Sequence, residues 1–237
     1  MFPVYVCYDD GVAMAERAAI ERGLIEIEPL IGSDTYCYGT EEFPQGRYRS
    51  ADSVVRSTAR NKSGQLNISI ILDKLEEMSA SWGETNAVVL FTSEDLCFPA
   101  KNLPYCFGAA RQGTRVSVQS VKRFRHLSEE PESFCIRRTL RHELGHIYCC
   151  AGNPRRSNTV DIAGLHCTNK GCSMRQAGSV EELLSMMADE RDKTCFCDQC
   201  MADLRRFRRE YEASVKTAAA LNRGNQRVAR TLSSFTW

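Results

Sequence analysis

His142-Glu143-Leu144-Gly145-His146 sets two imidazoles four residues apart with a carboxylate beside the first. On a helix, positions i and i+4 stand one turn apart on one face, so both rings reach a single Zn2+ at about 2.0–2.1 Å. Glu143, one residue further round, is displaced from the ligand position. It stands where it can take a proton from a metal-activated water, the role of a general base in hydrolysis. A zinc site of that kind takes a third protein ligand and keeps one position open. The remaining histidines are His126 and His166. His126, beside Arg125, reads as an exposed loop residue. His166, directly before Cys167, is the expected third ligand, with Asp161 in the same stretch and Glu181 or Glu182 beyond it as carboxylate competitors.

A second constellation follows. Cys167 and Cys172, then Cys197 and Cys200, are two short-spaced pairs separated by a helical stretch at residues 180–189. That is the pattern of a closed tetrahedral zinc site, which stabilises a loop-rich region short of apolar core. Cys195 competes with Cys197 for the fourth place. Seven ligands divided three and four predict two Zn2+ per chain, one catalytic and one structural. Cys7, Cys37, Cys97, Cys106, Cys135, Cys149 and Cys150 read as small buried hydrophobes or free thiols.

The elements that must position these groups follow from hydrophobic periodicity. Residues 3–8 and 24–28 read as strands flanking a helix at 12–22, a β-α-β opening. Residues 30–64 read as a long loop with one helix near 51–59. Asn67 caps a helix on which Ile68, Ile71, Leu72, Leu75 and Met78 share a face, ended by residues 79–83. A buried strand follows at 87–92 and a hairpin within 105–121. Ser128-Glu129-Glu130-Pro131 then opens the helix that carries His142, with acids favourable to its dipole. From Cys200 the chain reads as a polar helix.

The chain has 237 residues, and 43% of them are hydrophobic and 26% charged, values of a globular protein rather than a disordered one. Apolar runs fall far short of the roughly 18 residues that span a bilayer, so no membrane partner is expected. The net charge of +1 hides an asymmetry: residues 201–237 carry eight basic and three acidic side chains, residues 1–200 carry 23 and 27. The basic run at 205–209 is read as a solvated helix face rather than a nucleic-acid surface. The start, Met1-Phe2-Pro3-Val4, has no basic region ahead of an apolar one and reads as a strand, not a signal peptide, so the twelve cysteines point to a reducing, cytoplasmic compartment.

Taken in order, His142-Glu143-Leu144-Gly145-His146, Gly164-Leu165-His166-Cys167, Cys172-Ser173-Met174 and Cys197-Asp198-Gln199-Cys200 resemble the archaemetzincins, zinc peptidases of the metzincin clan. Weaker similarity lies in Gln65-Leu66-Asn67, Ser93-Glu94-Asp95-Leu96 and Asn102-Leu103-Pro104-Tyr105-Cys106-Phe107-Gly108, so the resemblance covers residues 65–200. It implies that His142, His146 and His166 hold a catalytic zinc, that Glu143 is the base, that Met174 forms a floor under the metal, and that Cys167, Cys172, Cys197 and Cys200 hold a second zinc. One departure stands out. The family spacing would put a helix-ending glycine at position 149 and the third histidine at 152, where this chain has Cys149 and Gly152. An insertion of about 14 residues from Cys149 onward accounts for the shift, with Gly152 and Pro154 expected to end the helix and begin the loop.

The expected fold is therefore α/β and metzincin-like: a twisted mixed sheet with a backing helix near 67–80 and an active-site helix near 131–148. Residues 1–150 would form the N-terminal subdomain, and residues 151–237 a smaller zinc-stabilised C-terminal one with a basic helical tail. The expected function is zinc-dependent hydrolysis of peptide or protein substrates, by an endopeptidase or an aminopeptidase. Substrate would lie extended beside an edge strand near residues 115–118. The rival is a non-catalytic zinc-binding interaction module in which the HExxH site is vestigial.

Overall fold

The computed structural model describes residues 2–39, 48, 50–82, 86–111, 114–151, 157–162, 164–190 and 195–233, with the side chains of all of these except 38, 39 and 219–233. The chain runs β1 (Val4–Tyr8), α1 (Met14–Ile31), β2 (Thr35–Gly39), α2 (Ala51–Arg56), β3 (Leu66–Asn67), α3 (Ile68–Trp82), β4 (Ala87–Thr92), β5 (Leu96–Phe98), β6 (Leu103–Cys106), β7 (Gly108–Arg111), β8 (Val116–Ser120), α4 (Glu129–Ile147), β9 (Thr159–Asp161), β10 (Leu165–Cys167), α5 (Val180–Glu190) and α6 (Asp198–Ser233). No described helix is long and apolar enough to cross a membrane.

The main sheet has the order β2-β1-β4-β8-β7, with β7 antiparallel to β8 and the other neighbours parallel. Strand alternation assigns its two faces. On β4, Ala87, Val89 and Phe91 point into a core shared with α1 and α4, while Val88 and Leu90 point into a second core shared with α2 and α3. A strand buried on both faces loses polar alternation, which is why 87–92 is apolar throughout. On α3, Ile68, Ile71, Leu72, Leu75 and Met78 form the buried stripe. The mixed sheet between helical layers is the α/β architecture expected.

The N-terminal region corrects the sequence reading. Residues 24–28 are helical, part of α1, and the second strand of the β-α-β unit is β2, within what read as loop. The segment Leu24-Ile25-Glu26-Ile27-Glu28 alternates like a strand, yet Ile20, Leu24, Ile27 and Ile31 also recur at helical spacing and are all buried. Pro29 lies inside the helix and denies a hydrogen bond to the carbonyl of Ile25. Ile25 is 69% exposed, so water reaches that side of the helix. Gly23 lets α1 approach α4 closely, since a Cβ there would stand 3.0 Å from Cδ2 of Leu140 and 3.3 Å from Cα of Arg137.

The end of α4 differs too. The amide of Cys150 donates to the carbonyl of Gly145 (2.8 Å), that of Cys149 to His146 (3.0 Å), and Cys149 has φ 58°. This is a Schellman closure with a left-handed residue at the position that favours glycine. The helix thus ends at Ile147 and is closed by Cys149; Gly152 and Pro154 lie outside the described residues. Because an L-residue is strained there, Cys149→Gly is expected to stabilise the protein by about 1 kcal/mol. Denaturant unfolding checks this: the midpoint should rise with the slope unchanged.

Candidate metal centre

Helix α4 is entered through Ser128 and carries Glu129, Glu130 and Glu132 in its first turn, where carboxylates favour the positive end of the dipole. It presents His142, Glu143 and His146 to a cleft of about 400 Å³. His166 arrives from β10, which pairs antiparallel with β9 through Leu165↔Asp161 and Cys167↔Thr159. Nε2 of His146 lies 3.3 Å from Nε2 of His142 and 3.2 Å from Nε2 of His166. Nδ1 of His142 donates to the carbonyl of Ser173 (2.7 Å), and Nδ1 of His166 to that of Gly164 (2.8 Å). With Nδ1 protonated, the Nε2 lone pairs of His142 and His166 turn toward each other and toward His146. That arrangement fits a cation among them.

Electrostatics agree with a ligand role. Burial, and then the neighbouring imidazoles, hold His142 well below the ordinary histidine range; burial and His166 bring His146 down to about 3; burial also lowers His166. The three rings are therefore neutral near pH 7, the state in which imidazole binds metal. Glu143 is 4% exposed, and burial pushes its carboxyl up to about 8. Its Oε2 has no hydrogen-bond partner among the described residues. A carboxylate so placed, facing a cleft, is suited to exchange a proton with a molecule bound there.

Beside His146 lies a contact that spacing does not reveal. Met174 is fully buried, and a Cβ on Gly145 would stand 2.2 Å from its sulfur and 3.3 Å from Cε1 of Phe196. Glycine beside His146 is what lets Met174 close against the helix.

The four sulfurs of Cys167, Cys172, Cys197 and Cys200 all lie within 4.8 Å of one another. Cys167 and Cys197 are 3.7 Å apart and Cys172 and Cys200 3.6 Å, far beyond a disulfide and suited to a shared metal. The backbone amide of Asn169 donates to Cys167, its side-chain amide to Cys197 (3.1 Å), and the amide of Cys197 to Cys172. Such donors support thiolate charge.

The other candidates lie elsewhere. His126 is exposed, and Cys195 falls outside the sulfur cluster. Asp161 accepts the amide of Gly164 in the β9–β10 turn, and Glu182 accepts that of Gly178. Neither Asp161, Glu181 nor Glu182 joins the histidines. The proposed edge strand is also corrected: β8, with Val116–Ser120, is interior between β4 and β7, and β7 is the edge. Gly108 of β7 lies over Glu143, for a Cβ there would stand 3.0 Å from its Oε1. Across the cleft, the hydroxyl of Tyr105 donates to the carbonyl of Gly178 (2.7 Å).

Sequence reasoning passed over a buried ionic network. Glu190 accepts from Nε of Arg138 (2.6 Å) and from Arg141 (2.9 Å), Arg138 also donates to the carbonyls of Cys172 and Arg175, and Arg141 reaches Ser173 and Glu26. The signal was available in Arg138 and Arg141 flanking the metal motif on its buried face.

No protein-family model matches the chain. The archaemetzincin of Methanopyrus kandleri is 34% identical over 146 residues, 60% of this chain and 67% of that protein. The crystal structure of the same archaemetzincin superposes with a TM-score of 0.63 at 22% identity over 88% of this chain and 96% of its own. A zinc-dependent peptidase from Methanocorpusculum labreanum gives 0.59 at 18% over 85% and 99%. The malonate complex of the archaemetzincin from Archaeoglobus fulgidus gives 0.54 at 19% over 85% and 99%. At these identities the superpositions speak for the fold, and the closer sequence match speaks for descent: this chain belongs to the archaemetzincins, a family of zinc-dependent metallopeptidases.

Proposed function

We propose that His142, His146 and His166 hold a catalytic zinc, that Cys167, Cys172, Cys197 and Cys200 hold a structural one, and that Glu143 is the general base of peptide-bond hydrolysis. The observation that carries this reading is the convergence of three neutral imidazoles beside a buried carboxylate with an unpartnered oxygen. Zinc, when bound, supplies a Lewis acid that polarises the scissile carbonyl and acidifies water. The chain does the rest. Glu143 takes a proton from the attacking water and delivers it to the leaving amine, with no covalent intermediate. The peptide lies extended against β7, which among the described residues is an edge strand of the main sheet. Acetylated and free N-termini on the same peptide separate an endopeptidase from an aminopeptidase.

The same proposal includes a division of the chain near residue 150 and a reducing, cytoplasmic location, where thiolate ligands persist. The apolar core nevertheless runs across that division, taking in Cys172, Met174, Leu183 and Leu204 beside the main sheet. Limited proteolysis near the boundary tests the division.

Purified protein is expected to contain two zinc ions. Cys197→Ser should release one and lower the melting temperature, because metal binding there is coupled to folding. His166→Ala should weaken the other site, while Asp161→Ala leaves both filled. Elemental analysis with metal titration checks all three. Zinc bound at both sites without chelator-sensitive hydrolysis of casein or quenched peptides favours the interaction module instead.

A further inference from the structure

We infer that the four-cysteine cluster positions the histidine triad, so that zinc in either site raises the affinity of the other. The inference rests on the two-zinc reading above and goes beyond it, because the two clusters are joined by links of a single residue. His166 and Cys167 are consecutive on β10, so drawing the sulfur of Cys167 into its cluster fixes the backbone that aims His166 at His146. The amide of Cys167 is itself held by the carbonyl of Met174 (2.9 Å).

The second link runs through Ser173. Its carbonyl accepts Nδ1 of His142 at 2.7 Å, setting the tautomer that turns Nε2 toward the metal position. Ser173 follows Cys172 directly, and its amide donates to the carbonyl of Cys195 (2.8 Å), two residues before Cys197. The acceptor that orients one histidine is thus suspended between two segments that the cysteine cluster ties together. Arg138, reaching the carbonyls of Cys172 and Arg175, attaches the same turn to α4.

Outer partners of a ligating histidine typically contribute about 10- to 100-fold to metal affinity, and binding linkage is reciprocal. The test uses the full-length protein and zinc titrated against a competing chromophoric chelator. Cys200→Ser alters a ligand on α6, distant in sequence from every histidine. With that cluster emptied and the fold checked by circular dichroism, zinc affinity at the histidines should fall about 10-fold or more. A second measurement needs no variant: an organomercurial should extract zinc from the cysteines of wild-type protein faster once dipicolinate has removed the histidine-site zinc. If Cys200→Ser does not fold, this measurement alone decides. Affinity and release rate that stay within twofold overturn the coupling and leave the two-zinc reading standing. Wild-type protein that takes up only one zinc overturns both.

Discussion

Glu143→Gln is expected to keep both zinc ions and lose peptide hydrolysis, kcat/KM and kcat falling together by about 10²–10⁴-fold. The amide fills the same space but cannot accept the water's proton. Since Glu143 is outside the set of converging imidazoles, the metal content should not change. Burial pushes its carboxyl up to about 8, and a cation held by the imidazoles would draw it back down. Both effects place the group where it can receive and return a proton at working pH. Steady-state kinetics with elemental analysis on the same sample checks the prediction. Turnover equal to wild type would falsify the base assignment, and loss of zinc together with activity would make the residue structural.

Removal of a carboxylate outside the histidine cluster should be felt as strongly, though in stability. Glu190→Ala leaves the guanidiniums of Arg138 and Arg141, 2% and 7% exposed at their side chains, without the carboxylate they share. Burial pulls the Arg138 guanidinium down from its ordinary range, and Glu190 is the chief group opposing that. Breaking a buried ion pair from one side costs about 3–5 kcal/mol, because the remaining charge stays desolvated. For a chain of this size that lowers the melting temperature by roughly 6–20 °C. The loss should be coupled: Arg138→Ala combined with Glu190→Ala should cost less than the two singly by about 0.5–3 kcal/mol, read from denaturant unfolding. Strict additivity would show that the network holds α4, α5 and the Cys172–Arg175 turn by separate contacts.

How far the sequence carries depends on the range over which each signal acts. The helix bearing His142 and His146, the stripe on α3 and the apolar strand β4 are written in repeats of a few residues, and neighbours along the chain suffice to read them. The cysteine pairs announce a metal in the same local way. At residues 24–28 the local code is double, since Leu24-Ile25-Glu26-Ile27-Glu28 satisfies both a period of two and, with Ile20 and Ile31, a helical one. Packing against α4 through Gly23 selects the helix, and the strand is displaced to β2. Likewise Val116 and Val118 look like half of any hairpin, and only the assembled sheet shows that β8 is interior while β7 holds the edge over Glu143. His166 could be named from its neighbour Cys167, but bringing it across 19 intervening residues to 3.2 Å from His146 required the β9–β10 pairing. Met174 against Gly145, Ser173 behind His142 and Glu190 between two arginines join residues 29 to 52 positions apart. Such contacts carry no periodic trace, because long-range burial and charge pairing are satisfied only once the whole chain has closed.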